Sequence, residues 1–514
     1  MDSAVAGSRI ISGERELALL DLVLNTARAA TALGSIGVRE GDAIALVLRN
    51  DFAFFEASWA AAVLGAYPVP VNWHFTAEEA GYIFRDCGAK AIVVHADLLP
   101  QVSADIPSGV PVFVVPTPLE IRDAYGIDPG DCPVPDRETA WSEWIDRFDP
   151  RPLQQIETPG TMLYTSGTTG RPKGVRRRRP TKEQDTATRQ MSPTVLGMTG
   201  QVTAVITGPM YHAAPNGHAQ SAASIGGTVV LQPRFDPEQL LLLIEKHRAT
   251  HMAVVPTMFV RLLKLPDAVK RKYDLSSLKW VIHGGAPCPP EVKRQMIEWW
   301  GSVIYEYYGS TEVGVVSLCN SQEWLEHPGT VGKVIPGAIV RILDERGHEL
   351  PPGTPGEVYS RLTYFADFTY HGDDQKRRDA ERDGLIASGD VGFMDEDGYL
   401  HLCDRKQDMV ISGGVNIFPA EIEAELLKFA GVMDCAVFGI PDEEFGESLC
   451  AYIQLKANAT LDATQVRAFL RERIAGYKVP KVIEFRDELP REDTGKIFKR
   501  KLRDPYWERA GRRI

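Results

Sequence analysis

The chain has 514 residues, 44% of them hydrophobic and 25% charged, with a formal net charge of −12. That length exceeds what one hydrophobic core normally supports, so two or more domains are expected, and the acidic balance excludes sequence-independent nucleic-acid binding. The 7 cysteines are scattered without a CxxC pair, which excludes a disulfide framework or zinc site and points to a reducing, cytoplasmic location. MDSAVAGSRI has no basic stretch leading into an apolar core, so no export signal is expected. The most apolar run, ASWAAAVLGAYPVPV, is broken by Gly65, Pro68 and Pro70 and is too short to cross a bilayer.

In chain order, AIALVL (43–48) reads as a short buried strand, followed by a small-residue helix over FFEASWAAAVLGA. AEEAGYIFRDCG reads as a helix and AIVVHA as a strand, with the turn at Ala89 to Ile92. ETPGTMLYTS ends in apolar and β-branched residues, as a buried strand does, and YTSGTTGRPKGV (Tyr164 to Val175) leaves it as a loop at a sheet edge. The backbone N–H groups, hydroxyls and Lys173 of that loop all donate, and together they suit a polyphosphate. It is not a Walker A loop, because Arg171-Pro172-Lys173-Gly174 stands where Gly-Lys-Ser/Thr is required, and Pro172 argues against an immediate helix. An ordinary Gly/Ser/Thr surface loop has the same composition. Arg176 to Arg179 follow directly, either as a solvated patch or as an attractor of anions.

DPEQLLLLIEKHR has Asp236 as N-cap and Pro237 at the first helical position, and leads into the apolar run MAVVPT. KWVIHGGAP and SVIYEYYGSTE are further strands with polar ends. This alternation predicts an α/β fold of helix-covered, mostly parallel sheets, with ligands at the carboxyl ends of the strands. From about 326 to 405, short strands alternate with the turns PPGTPG and DEDG, which suggests a small β-rich unit. After DRKQDMVISGGVN, PAEIEAELLKF and DATQVRAFLRERIAG (capped by Asp462, stopped by Gly476) indicate a compact α+β domain. The expected division is 1–406 and 407–514.

Four clusters bear chemistry: the loop, HGGAP, YYGSTE and SGD (Ser388 to Asp390). Gly284 and Gly285 let a flat ring approach the backbone. YYGSTE offers a stacking face, phosphate donors and an oxygen ligand for Mg2+. Asp390 suits two ribose hydroxyls. Each has an ordinary structural reading: turn glycines, a core tyrosine, a helix cap, a surface ion pair.

With DRKQDMVISGGVNIFPAEIE and PREDTGKIFKR, these motifs resemble, in order and spacing from roughly 40 to 500, the adenylate-forming superfamily of acyl- and aryl-CoA synthetases, luciferases and peptide-synthetase adenylation domains. The resemblance implies that Thr165, Ser166, Gly167, Thr168, Thr169, Gly170 and Lys173 cover the β- and γ-phosphates of ATP. It implies that Gly284, Gly285, Ala286 and Pro287 line the adenine, with Tyr308 stacking on it and Gly309 and Ser310 completing the nucleotide contact. Thr311 then meets the α-phosphate, Glu312 holds Mg2+, and Asp390 with Arg405 takes the ribose. Lys496 bridges the carboxylate and α-phosphate during adenylation, and His212 in GPMYH stands beside the acyl site and gates thiol entry.

The implied chemistry joins a carboxylate to the α-phosphorus of ATP, so the obstacle is electrostatic, and a metal and a lysine are the expected remedy. No general base is required, because the acid is already ionised at neutral pH. The C-terminal domain must then be mobile, turning near Gln407, where relatives carry Asp or Lys, to bring Ser412, Gly413 and Gly414 to the site for a pantetheine arm. Tyr477, Lys478 and Lys481 resemble CoA-nucleotide contacts, with Val479 where Arg is frequent. The chain stops at Ile514 without a carrier domain, so a free-standing CoA ligase is expected. A carrier-loading adenylation domain and a luciferase-like oxygenase are the alternatives. Ala213, Ala214, Gly217 and Ala222 beside Tyr211 leave volume for a bulky apolar acid. VNWHFTAEEAGYIFRDCGA and IEWWGSVIYEYYGSTE look most like bacterial bile-acid- and fatty-acid-CoA ligases. A medium- to long-chain or steroid-type carboxylate is therefore expected, with aryl acids such as cinnamates next. Partners are the acid, ATP and CoA, with no nucleic acid and no transmembrane segment; homo-oligomerisation is left open.

Overall fold

The structure, a computed structural model, describes residues 7–153, 160–165, 172–413, 415–491 and 497–509. Ser166, Gly167, Thr168, Thr169, Gly170, Gly414 and Lys496 lie outside the described residues.

A 14-stranded sheet runs through the larger part. Arg9–Ser12, Thr203–Ile206, Thr228–Leu231, His251–Val254, Trp280–His283 and Ile304–Ser310 are its parallel half. Side chains alternate across the pleat. Val205 and Val230 pack with Leu240, Leu241 and Ile244 of the helix Pro237–His247, whereas Ala204, Ile206 and Val229 face the helices Leu19–Ser35, Phe52–Val63 and Ala213–Ser224. Those three helices also meet Ile44, Leu46 and Val93 of a second, five-stranded parallel sheet, and so lie between two sheets. Asp236 caps its helix as expected, its Oδ1 accepting the Gln239 N–H at 2.8 Å.

The β-rich stretch is joined to the large sheet edge to edge. Ile304–Ser310 turns back antiparallel into Gly314–Cys319, which pairs with Thr330–Val334 and, through it, Tyr399–Arg405 and Leu385–Met394. The last part of the chain forms its own five-stranded sheet, on whose core Ile422 and Leu426 of Pro419–Leu426 and Val466 and Leu470 of Ala463–Arg471 pack. The fold is thus mixed α/β, a large N-terminal domain of parallel sheets followed by a C-terminal domain. Among the described residues no helix is long and apolar enough to cross a membrane.

Three local expectations are corrected. The turn before the strand Ala89–His95 falls at Gly88, with φ +62, because Ala89 and Ala91 already pair with Ala43 and Ile44. The strand before the loop of YTSGTTGRPKGV lies at a sheet edge as expected, but it is half-buried and its sheet is not one of the large ones. Leu163–Thr165 and Lys173–Arg177 are the two arms of an antiparallel hairpin, with Thr165 opposite Lys173, and Phe368–Tyr370 completes a small separate sheet. The helix from Asp462 ends at Arg471, ahead of Gly476, where the Arg473 and Ile474 N–H groups both turn onto the Leu470 carbonyl.

Candidate active site

The hairpin places Lys173 at the foot of the glycine-rich loop, where its Nζ lies 2.5 Å from Asp373 Oδ2. That hydrogen bond is the main reason the Asp373 carboxyl is held below its ordinary range. The Lys173 ammonium is 6.0 Å from the centre of the Tyr370 ring, and the Lys376 ammonium is 5.2 Å from the same ring. Burial, then the nearness of Lys173, pulls the Lys376 pKa down. The Tyr370 hydroxyl donates to Glu312 Oε1 at 3.1 Å, so loop lysine and candidate metal ligand flank one aromatic ring.

Thr311 and Glu312 sit at the turn between Ile304–Ser310 and Gly314–Cys319. A register shift follows Tyr308, and only glycine fits at 309, since an added Cβ would stand 2.1 Å from the Gly314 carbonyl oxygen. Ser310 Oγ accepts the Val313 N–H at 3.3 Å and closes the turn. The buried Tyr308 hydroxyl donates to Asp390 Oδ2 at 2.6 Å, and burial followed by that carboxylate drives its pKa well up. Asp390 and Arg405 face each other across the Leu385–Met394/Tyr399–Arg405 ladder, Arg405 Nε 2.8 Å from Asp390 Oδ1. Val175, Tyr308, Val316, Phe368 and Tyr370 form one apolar cluster beneath these groups. Lys173, Glu312 and Asp390 are therefore brought together.

HGGAP leaves the strand Trp280–His283 beside them. Gly284 lies so close to Tyr307 that a Cβ would fall 2.6 Å from its ring, and Gly285 takes φ +77. Ala286 is half-buried and Pro287 exposed. His212 precedes the helix Ala213–Ser224, its ring 4.3 Å from that of Tyr211, which meets Trp73 edge-on at 4.7 Å. The small residues expected to line one acyl pocket are divided. Ala222 is wholly buried in the core, whereas Ala213 and Gly217 are exposed on the same helix.

On the C-terminal domain, Ser412 ends the strand Val410–Ser412, and Gly413, at φ 57, donates its N–H to the Phe445 carbonyl. Lys481 Nζ lies 4.4 Å from the centre of the Phe445 ring and 2.7 Å from Asp442 Oδ2. Ser412, Gly413 and Lys481 thus share one surface; Tyr477 is exposed on a neighbouring turn. Lys478 is engaged by Glu421 at 2.6 Å. The Gln407 carbonyl accepts from Arg503 Nη1 at 3.1 Å.

Sequence reading missed Tyr370, Asp373, Lys376 and Arg177 as neighbours of this site. No local signal marks the first three, because Asp373 lies 200 positions from Lys173.

Mg2+ commonly takes one or two carboxylates plus substrate phosphates, so the single Glu312 carboxylate fits it, although among the described residues no three His, Cys, Asp or Glu gather as a metal cage.

Glycine turns and a carboxylate at the carboxyl ends of the parallel strands Trp280–His283 and Ile304–Ser310, with a lysine brought to them from a separate antiparallel hairpin, are the layout of a nucleotide-handling α/β enzyme. Residues 8–366 match the family model for the AMP-binding enzyme, and residues 421–496 that for the AMP-binding enzyme C-terminal domain. The chain is 33% identical over 494 residues to a feruloyl-CoA synthase of an Amycolatopsis species, covering 96% of this chain and 94% of that one. It is 32% identical over 495 residues to 3-[(3aS,4S,7aS)-7a-methyl-1,5-dioxo-octahydro-1H-inden-4-yl]propanoyl:CoA ligase of Rhodococcus jostii RHA1, covering 92% and 91%. The crystal structure of the anthranilate CoA ligase AuaEII in complex with anthranoyl-AMP superposes with a TM-score of 0.85 at 25% identity, covering 99% and 95%. The chain belongs to the AMP-binding enzyme family, and its class is that of the AMP-forming acid–thiol ligases.

Proposed function

We propose that this enzyme joins a bulky apolar carboxylic acid to CoA by way of an acyl-adenylate, with ATP bound between the Lys173 hairpin, the Thr311–Glu312 turn and Asp390. The observation that carries this reading is the linkage of those three places through Tyr370 and Tyr308. The glycine-rich loop with Lys173 receives the β- and γ-phosphates, Thr311 the α-phosphate. Gly284, Gly285, Ala286 and Pro287 flank the adenine against Tyr308. Asp390, oriented by the Tyr308 hydroxyl and by Arg405, accepts the ribose hydroxyls. Glu312 holds Mg2+, which when bound neutralises phosphate charge and so lowers the cost of bringing two anions together.

In the first half-reaction, a carboxylate oxygen bonds to the α-phosphorus as the bond to pyrophosphate breaks, and Lys496 stabilises the developing charge. In the second, a thiol sulfur bonds to the acyl carbon and AMP leaves with the former acyl–phosphate oxygen. The thiol proton passes to solvent. Lys496 belongs to a segment that turns about Gln407 between the halves, the division being 1–406 and 407–514. After turning, Ser412 and Gly413 flank the pantetheine, and Tyr477 and Lys481 meet the CoA nucleotide.

For the acid, a medium- to long-chain or steroid-type carboxylate is the first reading. A relative named for a methyl-bearing fused bicyclic ring on a propanoyl arm supports it. An aryl acid of the cinnamate type is the second, favoured by the relative named for feruloyl-CoA. Incubation with ATP, Mg2+, CoA and a panel of fatty, steroid-side-chain and cinnamate acids should yield equal amounts of AMP, pyrophosphate and one family of thioesters by mass spectrometry. AMP formed only with a holo-carrier protein, or oxygen uptake, would end the CoA-ligase reading.

Asp390→Ala removes a hydrogen-bonded carboxylate whose charged contacts are each worth about 1.5–3 kcal/mol. The Michaelis constant for ATP should rise roughly ten- to hundredfold, with that for the acid nearly unchanged. Steady-state kinetics with each substrate varied in turn would show this, and an unchanged ATP constant would remove Asp390 from the ribose site.

A further inference from the structure

The run Arg176 to Arg179 is solvated only in its second half, where Arg178 and Arg179 are exposed. Arg176 reaches the Gly41 carbonyl at 3.2 Å and lies 4.8 Å from the centre of the Tyr67 ring, and Arg179 pairs with Glu40 at 3.1 Å. The Arg178 N–H donates to the Asp367 carbonyl at 2.7 Å. Arg177 differs from all three. It shares the face of the Lys173–Arg177 strand that buries Val175 two residues earlier, a place where the alternation calls for an apolar side chain.

Its guanidinium fills that place in one fixed orientation. Nη2 donates to the carbonyls of Thr311 and, at 3.1 Å, Glu312, while Nη1 donates to the Ala366 carbonyl at 3.0 Å. The Phe365 ring covers the group, 3.7 Å from its Cζ. Burial lowers the Arg177 pKa to about 10, with Glu312 and Asp367 acting against this through space. At that value the group remains cationic at neutral pH. A planar fork with several donors can hold two successive carbonyls in a way that the single ammonium of lysine cannot.

We propose that Arg177 is a positioning residue for the nucleotide: it fastens the Thr311–Glu312 turn to the strand that begins with Lys173 and sets a fixed positive charge behind that turn. The strap joins residues 134 and 135 positions apart. It ties the segment assigned to the α-phosphate and Mg2+ to the one assigned to the outer phosphates. A merely space-filling role would be served better by leucine or methionine, which carry no charge to desolvate. The inference rests on the assignment of Thr311 and Glu312 to the nucleotide.

The test uses the full chain, with Arg177→Met to remove fork and charge and Arg177→Lys to keep the charge alone. Affinity for ATP with Mg2+ is measured by calorimetry without acid, and kinetics are run with acid and CoA. Arg177→Met should weaken ATP binding and slow pyrophosphate release, each roughly ten- to hundredfold, because small misplacements are felt strongly at a reacting centre. The Michaelis constant for the acid should stay within about twofold, and Arg177→Lys should restore part of the ATP affinity. Nucleotide affinity within about twofold of the parent in Arg177→Met overturns the proposal. So does a loss shared equally by ATP and acid with no rescue by lysine, which is the mark of a general packing defect. If Arg177→Met does not fold, Arg177→Lys decides: ATP affinity equal to the parent's overturns the positioning role of the fork. A parent protein that binds no ATP would instead defeat the underlying functional reading, and this inference with it.

Discussion

Lys496→Ala is expected to lower acyl-adenylate formation by roughly a hundred- to a thousandfold, the usual consequence of removing a preorganised charge from a developing anion. Thioester formation from supplied acyl-adenylate should continue at close to the parent rate. The asymmetry follows from the chemistry: only the first half-reaction brings a carboxylate against a polyphosphate. In the second, a thiol meets an already activated carbonyl, and the lysine has no phosphoanhydride left to stabilise. Pyrophosphate release measured with ATP and acid, against thioester yield from synthetic adenylate and CoA, separates the halves. Equal losses in both would refute a lysine dedicated to adenylation and, with it, the need for the C-terminal domain to turn about Gln407.

The largest effect on stability should come from Lys293→Met. Lys293 is wholly buried on the helix Pro290–Trp300, with Nζ 2.6 Å from Glu306 Oε2 and 4.8 Å from the centre of the Trp324 ring. His283 Nε2 is 3.7 Å from the same carboxylate oxygen, but burial holds this imidazole well below its ordinary pKa, so it stays neutral and Lys293 supplies the counter-charge. Removing one partner of a buried pair leaves an uncompensated charge, which costs about 3–5 kcal/mol. Lys293→Met should lose about that much in chemical denaturation, and Lys293→Met/Glu306→Leu should recover most of it. Burial already pushes the Glu306 carboxyl up, against the pull of Lys293. Without the lysine, its folded pKa would stand far above its unfolded one, so the folded state would bind more protons. The variant should therefore regain stability as pH falls and lose it as pH rises through that folded pKa. A loss below about 1 kcal/mol, flat with pH, would mean that the pair is not balanced as described.

Glu306 immediately precedes YYGSTE and His283 opens HGGAP, the two motifs assigned to the nucleotide. The pair is also coupled to the site by strand alternation, since Glu306 faces Lys293 while Tyr307 faces Gly284. Loss of Lys293 should be felt in ATP binding as well as in stability.

Most elements could be read from the chain because their causes are local. Asp236 and Asp462 cap helices with their own neighbouring N–H groups, and the strand Ala43–Val47 is buried on both faces, as its unbroken apolar run requires. The motif residues could also be named, since resemblance acts residue by residue. Pairing could not. The strands flanking the glycine-rich loop pair with each other, Leu163–Thr165 finding Lys173–Arg177 and not the large sheet. The β-rich stretch continues that sheet because Gly314–Cys319 accepts Thr330–Val334 on its free edge.

Side-chain fate was equally hidden within runs of one residue type. Nothing in RRRR tells that the second arginine is half-buried with its guanidinium on the carbonyls of Thr311, Glu312 and Ala366, while the side chains of Arg176 and Arg179 reach Gly41 and Glu40 and that of Arg178 is exposed. Nor does the loop show that Lys173 has Asp373 for a partner. Caps, turns and periodicity are settled within a few residues by backbone geometry. Burial and charge pairing depend on contacts between segments one to two hundred positions apart, and those exist only once the sheets have assembled.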